Sequence, residues 1–449
     1  MFPRLRAALQ RIQAELAQVL ERKQIISVCK EAGYRWRQRL LDPVTTIHLF
    51  VIQILNRNFA IARLRDFSRK KFTDAAYCKA RARLPLKVLQ TLLERVGTAL
   101  RSTINDSARW HGHRTFHLDG SSFSMPDTPE LQKQFGQPGC QRPGCGFPVA
   151  HLLALFHAGT GFLLKVLTAP LRTHDMAQAY LMHPELQKND LLIADRGFCS
   201  FAHLCLLRAR KLHGLFRAHQ KQIVDFRPGR AYNQPNGSHK KGLPSSRWLK
   251  RLGVTDQLVE YFKPKRRPKW MAAEEFAELS TSLVVRELRY QVTRRGARTR
   301  RVTLVTTLLD ADKYPAQELA DLYGQRWQIE TNLRHLKQTM RMDVLHCKTV
   351  QGVLKELTMF ALVYNLVRSV MYAAAQRQEV NVERISFADA LGWLAHVQPG
   401  TELRDLKVNP ERLNRVEPRA VKRRPKEYDR LTKPRHVLRK RLLGRKKAG

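Results

Sequence analysis

Acidic residues are scarce in this sequence. Across 449 residues, 38 Asp and Glu stand against 81 Lys and Arg, leaving a formal charge of +43. With so large an excess of positive charge, nucleic acid is the expected partner. Cysteine is also sparse: seven residues, odd in number and scattered (29, 78, 140, 145, 199, 205, 347), which excludes a disulfide framework. With no secretory signal ahead of them, a reducing, cytoplasmic setting in company with the nucleoid is expected. No apolar run has bilayer length. The longest, Leu357 to Ala375, carries Asn365 and Arg368 and reads as a buried core helix, so no membrane is expected. A phosphate-cradling glycine loop and internal repeats are both missing. Cys140, Cys145, Cys199, His203 and Cys205 match no tetrahedral spacing, which leaves zinc without a role. What is present is 43% hydrophobic composition, enough for real cores and too much for a disordered polycation.

Residues 1–108 read as helical, with Leu5, Leu9, Ile12, Leu16 and Leu20 at helical spacing, then Thr45–Leu55 and Leu86–Leu100. Within them, Tyr77/Arg81 and Lys79/Arg83 form a basic, aromatic-edged flank that reads as a solvated surface before a DNA-contacting one. From 109 to 219 the pattern changes. Thr115–Leu118 reads as a strand ended by Asp119-Gly120, with the acid at its tip. Val149–His157 and Phe162–Ala169 read as a hairpin, Met176–Leu186 as a helix, and Leu191–Ala194 as an apolar strand running into Asp195. A helix (Phe201–Ala209) and a strand (Gly214–Arg217) follow. Two acids at adjacent strand ends in a mixed sheet flanked by helices give an RNase H-like plan of the α/β class.

Residues 220–312 read as a β-rich insertion, with a loop over Phe226–Leu243 and a hairpin of Leu283–Val292 and Val302–Leu308 tipped by basic Thr293–Arg301. In it, Trp270 follows the cationic run Lys263–Lys269, and could stack on an unpaired base; Trp248 is the alternative. Residues 313–378 resume the core, and 379–449 form a C-terminal region. Its last stretch, Arg415–Gly449, holds fifteen Lys and Arg against three acids and is expected to stay disordered until it meets a polyanion.

The spacing Tyr323-x2-Arg326-x3-Glu330-x6-Lys337 carries the chemistry. On one continuous helix, Tyr323, Arg326, Glu330, Arg334 and Lys337 fall within an arc of about 80°, beside an apolar face of Leu322, Ile329, Leu333, Leu336 and Met340. An isolated Arg and Glu four apart read as a solvated ion pair. With Asp119 and Asp195 converging on it, however, Glu330 completes a set of three carboxylates with no His or Ser partner. Such a set suits divalent metal chemistry: two Mg²⁺ ions, with Mn²⁺ able to substitute, while the neighbouring cations neutralise phosphate.

These motifs are similar to those of the DDE transposases of bacterial insertion sequences, in the family marked by a Tyr-Arg-Glu-Lys signature. Asp119-Gly-Ser resembles the setting of the first acid, Asp195-Arg-Gly-Phe that of the second, and Met125–Glu130, Asp74–Pro85 and Arg326-Trp327 resemble familiar flanking stretches. The resemblance covers roughly residues 70–350. It implies an RNase H-like catalytic core interrupted by a β-strand insertion, a helical N-terminal DNA-binding region, double-stranded DNA (element ends and target) as partner, and a homodimer in the synaptic complex. It also implies nicking at element ends and attack by the freed 3′ hydroxyls, through a hairpin intermediate in some members. A non-integrating nuclease of the same fold, and a non-catalytic DNA-binding protein derived from a transposase, are the competing readings; neither accounts for the Tyr-Arg-Glu-Lys spacing.

Overall fold

The computed structural model describes residues 2–68, 71–173, 175–292, 300–397, 402–411 and 431–445. Seven helices come first: α1 (Phe2–Ile12), α2 (Ala14–Val19), α3 (Arg22–Glu31), α4 (Pro43–Leu55), α5 (Asp74–Arg83), α6 (Leu86–Ala99) and α7 (Arg101–Asp106). The caps are local. Asp42 accepts the amide of Thr45 ahead of Pro43, and Thr73 accepts that of Ala76. The flank expected on α5 divides: Tyr77 is fully buried and the Arg81 guanidinium lies 3.8 Å from the Phe50 ring centroid, donating to Gln53 and Cys347. Only Lys79 and Arg83 remain exposed.

Next come β1 (Thr115–Ser124), α8 (Pro129–Phe135), β2 (Val149–His157), β3 (Leu163–Pro170), α9 (Met176–Ala179), β4 (Leu191–Ala194), α10 (Phe201–Ala209) and β5 (His213–Arg217). The helix expected over Met176–Leu186 is shorter: Pro184 lacks an N–H to donate, and after α9 the chain tightens into a 3₁₀ turn over Tyr180–Glu185. The insertion supplies β6 (Ser246–Gly253), β7 (Asp256–Phe262), α11 (Ala273–Glu278), β8 (Ser282–Val292) and β9 (Arg300–Thr306). Of the expected basic hairpin tip, residues 293–299 lie outside the described residues.

All nine strands form one sheet, in the order β3-β2-β1-β4-β5-β9-β8-β7-β6. β1, β4 and β5 are parallel, β2 runs antiparallel to β1 and β3 antiparallel to β2, and β9 joins the insertion to β5 antiparallel through Leu215↔Thr306 to Arg217↔Leu304. The insertion thus extends the sheet.

After the sheet come α12 (Ala316–Gln325), α13 (Trp327–Arg334), α14 (Val350–Arg377), α15 (Phe387–His396) and α16 (Arg435–Arg445). Of the tail expected to stay disordered, residues 415–430 and 446–449 lie outside the described residues, while Arg435–Arg445 is helical: Arg435 seats on the Phe147 ring, 3.9 Å from its centroid, and its amide donates to Gly144 O, anchoring the helix start. Among the described residues, α14 alone has the length and composition to cross a membrane, but 83% of its most apolar window is buried within the fold. One core holds α14 together with the N-terminal helices, α13, α15 and the inner face of β2.

Polar residues on α14 fix its position. Asn365 receives the amide of Leu163 and donates to its carbonyl, giving edge strand β3 a side-chain substitute for a strand neighbour. The fully buried Arg368 donates to Thr160 O at 2.6 Å and to Glu383 at 2.7 Å. This approach requires Gly161, at φ +68°, where a Cβ would lie 1.9 Å from the guanidinium. Removing one partner of a buried ion pair costs about 3–5 kcal/mol. Arg368→Met should therefore lower the thermal midpoint by several degrees, measured by circular dichroism; an unchanged midpoint would show the pair to be dispensable.

Candidate active site

The site begins with strand register. β1 and β4 pair in parallel from Thr115↔Leu191 to Leu118↔Ala194, so Asp119 and Asp195 are the next residues on two adjacent strands. Asp195 terminates its strand and leads into a 3₁₀ turn over Arg196–Phe198. Asp119 does not terminate β1, which continues to Ser124 against β2 with Asp119 opposite Ala154. The Asp-Gly step that suggested a turn has another reason: a Cβ at Gly120 would lie 2.8 Å from Asp175 Oδ1 and 2.9 Å from His151. Glycine here permits close packing within an extended strand.

The third acid arrives on a broken helix. The single helix expected from Tyr323 to Lys337 is three pieces: α12 ends at Gln325, α13 begins at Trp327, and residues His335–Thr339 widen into a π turn. Arg326 keeps helical dihedrals, with its amide on Tyr323 O and its carbonyl receiving the Ile329 amide, so the step into α13 is a local tightening; the π turn shifts the phase before Lys337, and the buried Ile329, Leu333 and Leu336 keep this segment in the core. Arg326 reaches among the acids. Its Nη1 lies 3.7 Å from Asp119 and its Nη2 donates to Glu330 at 3.3 Å. Tyr323 is buried with its ring centroid 5.8 Å from this guanidinium. Lys337 donates to Ser121 Oγ at 2.9 Å, two residues beyond Asp119. Arg334 is exposed and, among the described residues, without an ion pair.

Burial drives the electrostatics. It pushes the Asp119 carboxyl up to about 6; Asp195 and Glu330 add to the rise, while the Gly120 amide and Arg326 oppose it. Burial also pulls Arg326 down, but Tyr323, Asp119, Asp195 and Glu330 outweigh it and raise the guanidinium above its ordinary value. His117, fully buried on β1 with neither ring nitrogen bonded, is pushed down to about 3 by burial and then by Arg326, and so stays neutral. Among the described residues, no three His, Cys, Asp or Glu side chains stand close enough to enclose a metal ion by themselves. Instead, Arg326 is the cation that bridges Asp119 and Glu330. The donors available are hard carboxylate oxygens, which suit a hard divalent cation that takes its remaining ligands from water or phosphate.

Both tryptophans named for base stacking lie in the insertion. Trp270 is half-buried and stacked on Tyr180, centroids 5.8 Å apart at 23°, so one face of the indole is already covered. Trp248 is half-buried on β6 with its indole N–H buried and unpaired. Trp327, 66% exposed beside Arg326, was not singled out as an aromatic platform. The helical wheel carried the signal, since Trp327 falls about 40° from Tyr323. Ser121 and His117 were also missed; alternation places both on the Asp119 face of β1, but nothing in their residue types marks them.

The family described as "Transposase DDE domain" matches residues 110–366. The chain is 26% identical over 398 residues to the transposase InsG for insertion sequence element IS4 of Escherichia coli (strain K12), covering 84% of this chain and 82% of that one. It is 34% identical over 92 residues to the putative transposase InsZ of the same strain, 20% of this chain and 31% of that one. Among solved structures, a piggyBac transposase synaptic complex with hairpin DNA aligns at a TM-score of 0.43 and 11% identity, covering 84% of this chain and 78% of that one.

The raised Asp119 value yields a signed test. Between the ordinary aspartate range and about pH 6, the folded protein holds this proton more tightly than the unfolded chain, so its contribution to stability falls as pH rises. Above pH 6 the ionised, buried carboxylate is a net cost. In metal-free protein, Asp119→Asn should raise the thermal midpoint at neutral pH, with the advantage shrinking as pH falls through 6. Parallel midpoint curves for the two proteins would refute this.

Proposed function

The chain belongs to the DDE-domain transposases of bacterial insertion sequences, enzymes that cleave DNA and transfer its strands, and we propose that Asp119, Asp195 and Glu330 are its metal-holding catalytic carboxylates. The observation that carries this is the register Leu118↔Ala194, which sets the two aspartates side by side, with Arg326 joining Asp119 to Glu330.

The order β3-β2-β1-β4-β5, three antiparallel strands followed by two parallel to the first, supports an RNase H-like core. On this reading residues 109–219 and 313–378 make the core, 220–312 the insertion, 1–108 the DNA-binding helices and 379–449 a C-terminal region. Two magnesium ions, when bound, supply an activated water or 3′ hydroxyl on one side of the phosphate and stabilise the departing oxygen on the other. The chain's own groups do the rest. Arg326 exchanges its carboxylate contacts for a phosphate oxygen, Tyr323 supports it from beneath, Lys337 holds the strand from beside Ser121, and exposed Arg334 meets the backbone one turn on. Neutral His117 fills the space behind Asp119 without competing for phosphate. An aromatic platform for an unstacked base belongs with exposed Trp327, because the Trp270 ring is covered by Tyr180. Paired element ends, each needing one such site, favour a homodimer in the synaptic complex.

The test separates binding from cleavage. Asp195→Ala and Glu330→Ala should retain binding to element ends while losing magnesium-dependent nicking by on the order of 10³-fold, as expected when several kcal/mol of charge stabilisation are removed. Gel-shift and strand-specific nicking assays read the two outcomes. Nicking at the normal rate by either variant would overturn the assignment.

A further inference from the structure

The edge of the sheet that carries the acids continues into the insertion. β4 and β5 run towards that edge and β9 starts from it; β8 returns to it, β7 leaves it, and β6 ends on it. The β6–β7 turn therefore lies on the same edge as Asp119 and Asp195. Five strand steps of about 4.8 Å separate β4 from β6, a distance of roughly 24 Å. A DNA duplex rising about 3.4 Å per base pair covers that distance in about seven pairs.

An open cleft of about 470 Å³ lies there, between the 224–228 loop, the β6–β7 turn and the end of β8. Three arginines line it. Arg227 pairs with Asp225 at 2.7 Å. Arg251 donates to Gly253 O, and Arg289 to Thr303 Oγ1 and Val224 O, so neutral oxygens orient both, and neither forms an ion pair among the described residues. Burial, with Arg301 second, lowers the Arg289 guanidinium, and the carboxylates of Glu287 and of Asp225, which lines the cleft, oppose that shift without overcoming it. Val254 stands at the turn, 77% exposed, more than any other large hydrophobic side chain among the described residues. Its support is firm: Thr255 and Arg289 exchange two hydrogen bonds, Thr255 Oγ1 to Arg289 O and Arg289 N to Thr255 O, both 2.8 Å.

We propose that this cleft is a second backbone-binding site for duplex DNA, in which Arg251 and Arg289 hold a phosphate about seven base pairs from the one at the acids, while Val254 packs into the adjacent minor groove. The assignment rests on the reading that Asp119 and Asp195 hold the scissile phosphate. A rod with regularly spaced charge laid along one sheet edge satisfies both sites at once, which an acidic protein surface would not do at this spacing. Apolar side chains set at a groove beside cations are a common means of bending DNA, so the site would also favour a curved duplex.

The test uses the full chain carrying Asp195→Ala, so that the DNA remains uncut, bound to the end of its own element. Phosphate-ethylation interference should report a contact about seven base pairs from the cut. Arg251→Glu should abolish that contact, leave those at the cut, and reduce the salt slope of binding to a plain duplex by about 0.9. Val254→Asp, which leaves every arginine in place, should weaken the same position and the preference for a pre-bent duplex. Persistence of the contact in either variant would overturn the proposal. Nicking reports on the acids separately: if the Asp195→Ala chain nicks as fast as protein with Asp195 intact, it is the acid reading that fails.

Discussion

Two parallel strands that stop pairing at the same level determine the geometry around them. Because Leu118 lies beside Ala194, two carboxylates emerge together from a buried sheet, in surroundings that raise one of them. Such a pair needs positive charge nearby. Arg326 supplies it at the one point where the following helix breaks, and that break allows its side chain to reach back to Asp119 while still touching Glu330. The π turn then sets Lys337 over Ser121. Each irregularity in the helix is matched by a cation delivered to the sheet edge, as expected where backbone regularity is given up at a functional site.

Much of this was legible in the sequence. Leu191–Ala194 is short, wholly apolar and followed by an acid, which identifies a buried strand ending in a polar edge. The apolar residues around Glu330 identify the helix face in the core. Other features were not legible for definite reasons. Asp-Gly is a turn signal by local chemistry, and only the packing of His151 and Asp175 against Gly120 shows that extended backbone wins there. In the helix from Tyr323, Gly324 is the one residue whose type disfavours a helix and signals a possible break; the interruption falls two residues later, at Arg326, and no residue type marks the π turn over His335–Thr339. Tyr77 and Arg81 read as surface because residue type alone does not show that Gln53 and Phe50 await them inside.

The fold also explains how a chain of this charge stays compact. Its buried cations are each held by neutral oxygens or a single acid: Arg368 by Thr160 and Glu383, Arg286 by Asp256 at 2.5 Å, Arg114 by Asp190 at 2.6 Å. Most other cations of the described residues stand on the surface, where solvent and salt screen them until a polyanion arrives. Stability at the acids is sacrificed, since an ionised Asp119 is a cost that metal and phosphate would offset.

The central claim is that Asp119, Asp195 and Glu330 bind the metal directly. The most direct measurement is a ligand swap, Asp195→Cys, assayed for nicking in magnesium and in manganese. A thiolate suits magnesium poorly and softer ions better, so the account predicts loss of nicking in magnesium and partial recovery in manganese. Undiminished nicking by the cysteine variant in magnesium would contradict it.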